Sequence, residues 1–90
     1  MTMADSIAEK LTQAFAPIEL VVEDQSARHA GHAGAPAGGE SHFHVRIVTP
    51  AFAGLSRLER QRRIFAVLDA EMRGGIHALS LAALTPAEAA

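Results

Sequence analysis

His42-Phe43-His44-Val45-Arg46-Ile47-Val48-Thr49-Pro50 is the stretch on which the fold turns. Phe43, Val45 and Ile47 alternate with His42, His44 and Arg46, the period of a strand that is apolar on one face and polar on the other. Pro50 has no N–H to give a ladder and closes the run. A half-buried strand needs strands beside it and an apolar layer over it, and both can be found by reading outward. Upstream, Ile18-Glu19-Leu20-Val21-Val22-Glu23 puts Ile18, Leu20 and Val22 on one face and Glu19 and Glu23 on the other, a strand over 18–24. Downstream, residues 76–84 make a third strand, with His77, Leu79 and Leu81 on one side and Ala78, Ser80 and Ala82 on the other.

The covering layer is helical. Ile7, Leu11 and Phe15 recur every four residues within a helix over 3–16, which Asp5 or Ser6 is placed to cap and Pro17 stops. A second helix opens at Leu55-Ser56-Arg57-Leu58-Glu59. Ser56 and Glu59 have capping-box spacing, and Leu55 is placed as a hydrophobic staple. Leu58, Ile64, Phe65, Leu68 and Met72 give its buried stripe, and Gly74-Gly75 ends it. The tail from Thr85 reads as frayed. The order helix, strand, strand, helix, strand gives an α+β domain over residues 1–90, with an ordered core at about 3–85 and a mixed three-stranded sheet carrying its helices on one face. Residues 25–41 hold four glycines, one proline and no large apolar residue, so they read as a long, flexible loop.

Composition sets bounds on function. Of the 44 hydrophobic residues 19 are alanine, so a modest core is feasible and a large internal ligand pocket is not expected. A net charge of −2 argues against a generic polyanion binder. The chain has no cysteine, which removes disulfides, Cys-rich zinc sites and a thiol nucleophile. No apolar run approaches a membrane span, and Met1–Ala8 lacks the basic and hydrophobic regions of a signal peptide, so a cytoplasmic protein is expected.

Chemistry is left to five histidines and one basic helix. His29-Ala-Gly-His32 lies in the glycine-rich loop, with two imidazoles able to ligate a metal but too few for a structural zinc site. His42 and His44 fall on the polar face of their strand. His77 follows Gly74-Gly75-Ile76 at a strand edge, where a side chain is both positioned and accessible. Arg57, Arg60, Arg62 and Arg63, offset only by Glu59, suit phosphate contacts, an acidic protein surface or a solvated helix face. No nucleophile–base–acid set and no phosphate-cradling glycine motif is present, so no enzyme is expected.

Taken together, His29-Ala-Gly-His32, Glu40-Ser41-His42-Phe43-His44-Val45 and Ile76-His77-Ala78-Leu79 resemble the BolA family. Phe52-Ala53-Gly54-Leu55-Ser56 and Arg60-Gln61-Arg62 fit its middle section, and the similarity runs from about Ile7 to Pro86. Gln61 departs from the Arg-His-Arg triplet frequent in the family. The resemblance implies a class II KH-like fold and partnership with a monothiol glutaredoxin in iron–sulfur cluster handling and iron homeostasis. It further implies that His77 ligates a shared [2Fe–2S] cluster with a second ligand from the loop, His29 or, in reserve, His32, while glutaredoxin and glutathione supply thiolates. Two imidazoles on one iron and two thiolates on the other form a Rieske-like division open to a chain without cysteine. The alternative the family offers is a DNA-binding regulator using Arg57, Arg60, Arg62 and Arg63.

Overall fold

A computed structural model describes residues 1–25 and 42–90. Helix α1 spans Met3–Phe15. Its cap is Thr2, one turn earlier than Asp5 or Ser6: Thr2 Oγ1 accepts from the Asp5 N–H at 3.1 Å, and Asp5 Oδ2 accepts in return from the Thr2 N–H at 3.1 Å. That returned backbone bond, with the hydroxyl contact, holds the Asp5 carboxyl below its ordinary range. Ala16 turns left-handed at φ 45° and its N–H closes on the Thr12 carbonyl, ending the helix before Pro17.

Strands β1 (Glu19–Asp24), β2 (His42–Val48) and β3 (Ala78–Leu84) form one sheet in the order β1-β2-β3. β1 runs antiparallel to β2 and β3 parallel to it, the mixed sheet expected from a meander followed by a helical crossover. His42–Val48 is therefore the central strand. Its Phe43, Val45 and Ile47 are buried. Ile18 lies just outside β1 and is 66% exposed, so it does not join the buried face assigned to it.

A 3-10 turn at Pro50–Phe52 leads to α2 (Arg57–Val67), capped by Ser56 Oγ accepting from the Glu59 N–H at 3.1 Å. The second helix is not continuous to Gly74. At Leu68 ψ swings to 16°, far from the helical value near −42°, and a separate α3 covers Asp69–Gly74. Leu68 itself is fully buried at this bend. The inward line of α2 also differs from the apolar stripe: Leu58 is 54% exposed and Phe65 half-buried, while Arg60, Ile64 and Leu68 point inward at four-residue spacing. A buried arginine breaks the apolar pattern and shifts its phase.

Ile7, Leu11, Phe43, Val45, Ile47, Phe52, Ile64, Leu68 and Ile76 make the core between sheet and helices. Each such side chain contributes about 1.5–3 kcal/mol through burial. Phe15 packs on Phe52 with centroids 5.1 Å apart. The tail is not frayed: Pro86–Ala89 forms a short α4, capped by Thr85 and Glu88 in a reciprocal box.

Candidate functional site

The strand directions place the candidate residues. Parallel pairing brings the starts of β2 and β3 to one end of the sheet, and antiparallel pairing brings the end of β1 there too. Gln25 and His42, which flank residues 26–41, are joined there by the Gln25 N–H donating to the His42 carbonyl at 2.8 Å. His77 belongs to the same end, because Ala78 is the register partner of His42. The two imidazoles lie side by side with ring centroids 6.3 Å apart and planes inclined by 22°.

His77 precedes β3 rather than opening it, and it is exposed. Its backbone is nevertheless fixed on both sides. Gly75 takes φ 152° and ψ −4°, a conformation that L side chains rarely adopt, so glycine is required there. Ile76 is buried and donates its N–H to the Glu71 carbonyl at 3.3 Å, while Glu71 pairs with Lys10 at 2.8 Å. The result is an accessible imidazole on an anchored backbone. His29 and His32 lie outside the described residues.

His42 and His44 are half-buried, so neither is a freely solvated strand residue. His44 Nδ1 shares a 2.7 Å hydrogen bond with Ser80 Oγ on β3. Arg46 Nε, farther along the same face, donates to Glu19 Oε2 at 2.5 Å. The contact of His42 with His77 was invisible in the sequence, because β2–β3 register is set by tertiary packing and the two residues are distant in the chain.

The basic helix divides. Arg57, Arg62 and Arg63 are exposed, but Arg60 is only 6% exposed and cannot serve as a surface contact. Its Nε donates to the Leu55 carbonyl at 3.0 Å and its Nη1 to the Ala83 carbonyl at 3.0 Å. Both terminal nitrogens reach Glu88, at 2.5 and 3.2 Å. Arg60, with a further donated bond from the Thr85 N–H, lowers the Glu88 carboxyl from its ordinary 4.5 to about 2. Arg60 therefore links the start of α2 to β3 and α4.

A metal or cluster would find an incomplete donor set in this chain. Among the described residues no three potential ligands come together, and no cysteine exists anywhere in the sequence. His77 fits a cluster whose remaining ligands come from elsewhere. No helix among the described residues is long and apolar enough to cross a membrane.

Comparison with known proteins agrees with this architecture. The family model described as BolA-like protein matches residues 11–88. SufE-like protein 1, chloroplastic/mitochondrial, of Arabidopsis thaliana is 50% identical over 86 residues, covering 91% of this chain and 23% of that protein. The DNA-binding transcriptional regulator BolA of Escherichia coli strain K12 is 43% identical over 81 residues, covering 90% of this chain and 73% of that protein. The chain thus spans less than a quarter of the SufE-like relative. The solved BolA domain of SufE1 from Arabidopsis thaliana superposes with a TM-score of 0.85 at 46% identity, covering 98% of this chain and 96% of that one.

Proposed function

The chain belongs to the BolA-like family, and on that premise we propose that it is a non-enzymatic partner of a monothiol glutaredoxin, sharing ligation of a [2Fe–2S] cluster. The observation that carries the reading is His77: an exposed imidazole, on a backbone fixed by Gly75 and Ile76, at the sheet end from which residues 26–41 depart. An accessible side chain on an anchored backbone keeps the geometry a metal ligand requires without a buried site. His29 lies four residues beyond Gln25 in the chain, a span of at most about 14 Å, and is the second ligand; His32 is its reserve. The partner and its glutathione bring the thiolates that this chain lacks.

When bound, the cluster would supply an iron able to take imidazole in place of thiolate, with His77 as the ligand from the described residues. His77 has two tasks: to present a neutral ring nitrogen and to leave the rest of the fold undisturbed. Only neutral imidazole coordinates, so protons compete with the metal for the ring nitrogen.

The test is reconstitution of this chain with a monothiol glutaredoxin and glutathione, read by visible absorption and circular dichroism. A coloured heterodimer is expected. His77→Ala should change its spectrum or shorten its half-life while the two proteins still associate, and His29→Ala should do so more mildly. No heterodimer, or a spectrum and half-life untouched by His77→Ala, would overturn the assignment. The second reading, a DNA-binding regulator, is favoured by the name of the Escherichia coli relative and by exposed Arg57, Arg62 and Arg63. It is weakened by the withdrawal of Arg60 into the fold. Salt-dependent, sequence-selective gel shifts would support it.

A further inference from the structure

β3 is an edge strand, and its outer edge is unpaired among the described residues. The Thr49 N–H donates to the Leu84 carbonyl, which fixes the phase of the parallel ladder. Leu84, Ala82, Ser80 and Ala78 turn their backbone groups toward β2, and Leu79, Leu81 and Ala83 turn theirs outward. The Ala83 carbonyl is taken by Arg60 Nη1. The N–H groups of Leu79, Leu81 and Ala83 and the carbonyls of Leu79 and Leu81 have no partner among the described residues.

Exposed edges are usually blunted by charge, proline, a bulge or a covering element. β3 reads Ala-Leu-Ser-Leu-Ala-Ala-Leu, without charge or proline and with an unbroken register against β2. Among the described residues no strand or helix closes this edge, and a groove of about 360 Å³ runs along it, lined by Leu79 to Leu84 along its floor and by Arg57 and Gln61 of α2 along its wall. The wall holds one cation and no acid. Glu88, the nearby carboxylate, is already bound to Arg60.

We propose that this groove receives an extended, acidic segment of a partner protein, added as a fourth strand along β3. The outward backbone groups offer the strand ladder, and Arg57, the one charged residue lining the groove among the described residues, selects for negative charge. A second copy of this chain suits the groove less well, because it would bring the same uncharged strand and the same cation. The interaction is independent of His77, none of whose atoms line the groove.

The probe is a short synthetic peptide of alternating valine and threonine ending in aspartates, titrated into the ¹⁵N-labelled full chain and followed by NMR. Saturable shifts centred on the Leu79, Leu81 and Ala83 amides are expected, with a dissociation constant of roughly 100 µM, the weak end of specific binding. The same peptide N-methylated at alternate residues should not bind, because it has lost its donors. Arg57→Glu should weaken the acidic peptide roughly fivefold, in keeping with an exposed ion pair. Absence of shifts at those amides, equal binding of the N-methylated peptide, or indifference to Arg57→Glu overturns the proposal. So does the same set of shifts appearing with an oligothymidine in place of the peptide at physiological salt, which assigns the groove to nucleic acid. Shifts that grow with protein concentration alone assign it to a second copy and overturn it equally.

Discussion

The two ends of β3 use polar side chains in opposite ways. Past its C-terminal end the polar side chains are tied to one another and to the backbone: Arg60 bridges two backbone carbonyls and Glu88, and Thr85 and Glu88 cap α4. Beside it Thr49, fully buried, donates to the Phe15 carbonyl at 2.8 Å and accepts from the Ala51 N–H. Ahead of the N-terminal end, His77 is exposed, and the ring beside it is another imidazole. The difference separates residues of similar chemistry by role. A cation or imidazole satisfied by the fold is structural, and one left on an anchored backbone is available to a partner.

Arg60 is the strongest place to break this contrast. Arg60→Met keeps the aliphatic stem but takes the donor from the Leu55 and Ala83 carbonyls and leaves the Glu88 carboxylate with the Thr85 N–H alone. Each of the two part-buried carbonyls left without this donor carries a desolvation cost of about 1 kcal/mol or more, so a loss of about 2–3 kcal/mol is expected. Urea denaturation should show a lower midpoint at unchanged slope. The cluster sharing proposed for His77 should be unaltered per folded molecule. A variant of native stability would mean that the C-terminal knot holds nothing, and the distinction between the two ends would fall.

Glu88 gives a smaller effect with a pH signature. Its carboxyl is lowered in the folded chain to about 2 from an ordinary 4.5. The folded state therefore binds the proton less readily than the unfolded state. The Arg60–Glu88 contribution is fully present above pH 4.5 and is lost as pH falls toward 2. Thermal midpoints followed across that window should drop in the native chain, and Glu88→Gln should drop less steeply while starting lower. A parallel pH profile for the two proteins would show that Arg60 does not depend on this carboxylate.

Most of the architecture was legible because it rests on local periodicity. The alternation in His42–Val48 and the four-residue spacing of Ile7, Leu11 and Phe15 hold in the folded chain, and the three strands share one sheet. What was hidden depended on contacts between distant residues. A basic run on a helix gives no sign that one of its arginines faces inward, since burial follows from the position of Glu88 and the Ala83 carbonyl. The capping-box spacing of Thr85 and Glu88 was present in the sequence and signals the ordered tail. His77 was legible as an edge residue, but its neighbour His42 emerged only with the β2–β3 register.

The smallest expected effect on stability belongs to His77 and sharpens the contrast most. Its side chain is exposed, and among the described residues its ring contact is with His42 alone. Removing it strips no core contact and orphans no buried group, so His77→Ala should change unfolding free energy by no more than about 0.5 kcal/mol. The backbone around it is held by Gly75, Ile76 and the start of β3, none of which needs the imidazole. His42→Ala is expected to cost slightly more, because His42 is half-buried within β2. Denaturant midpoints for the two variants and the native chain decide the matter, read beside ¹⁵N spectra that report whether the fold persists. If His77→Ala lowers stability as Arg60→Met does, His77 is a structural histidine, and the sheet end where residues 26–41 depart is knotted in the same way as the other.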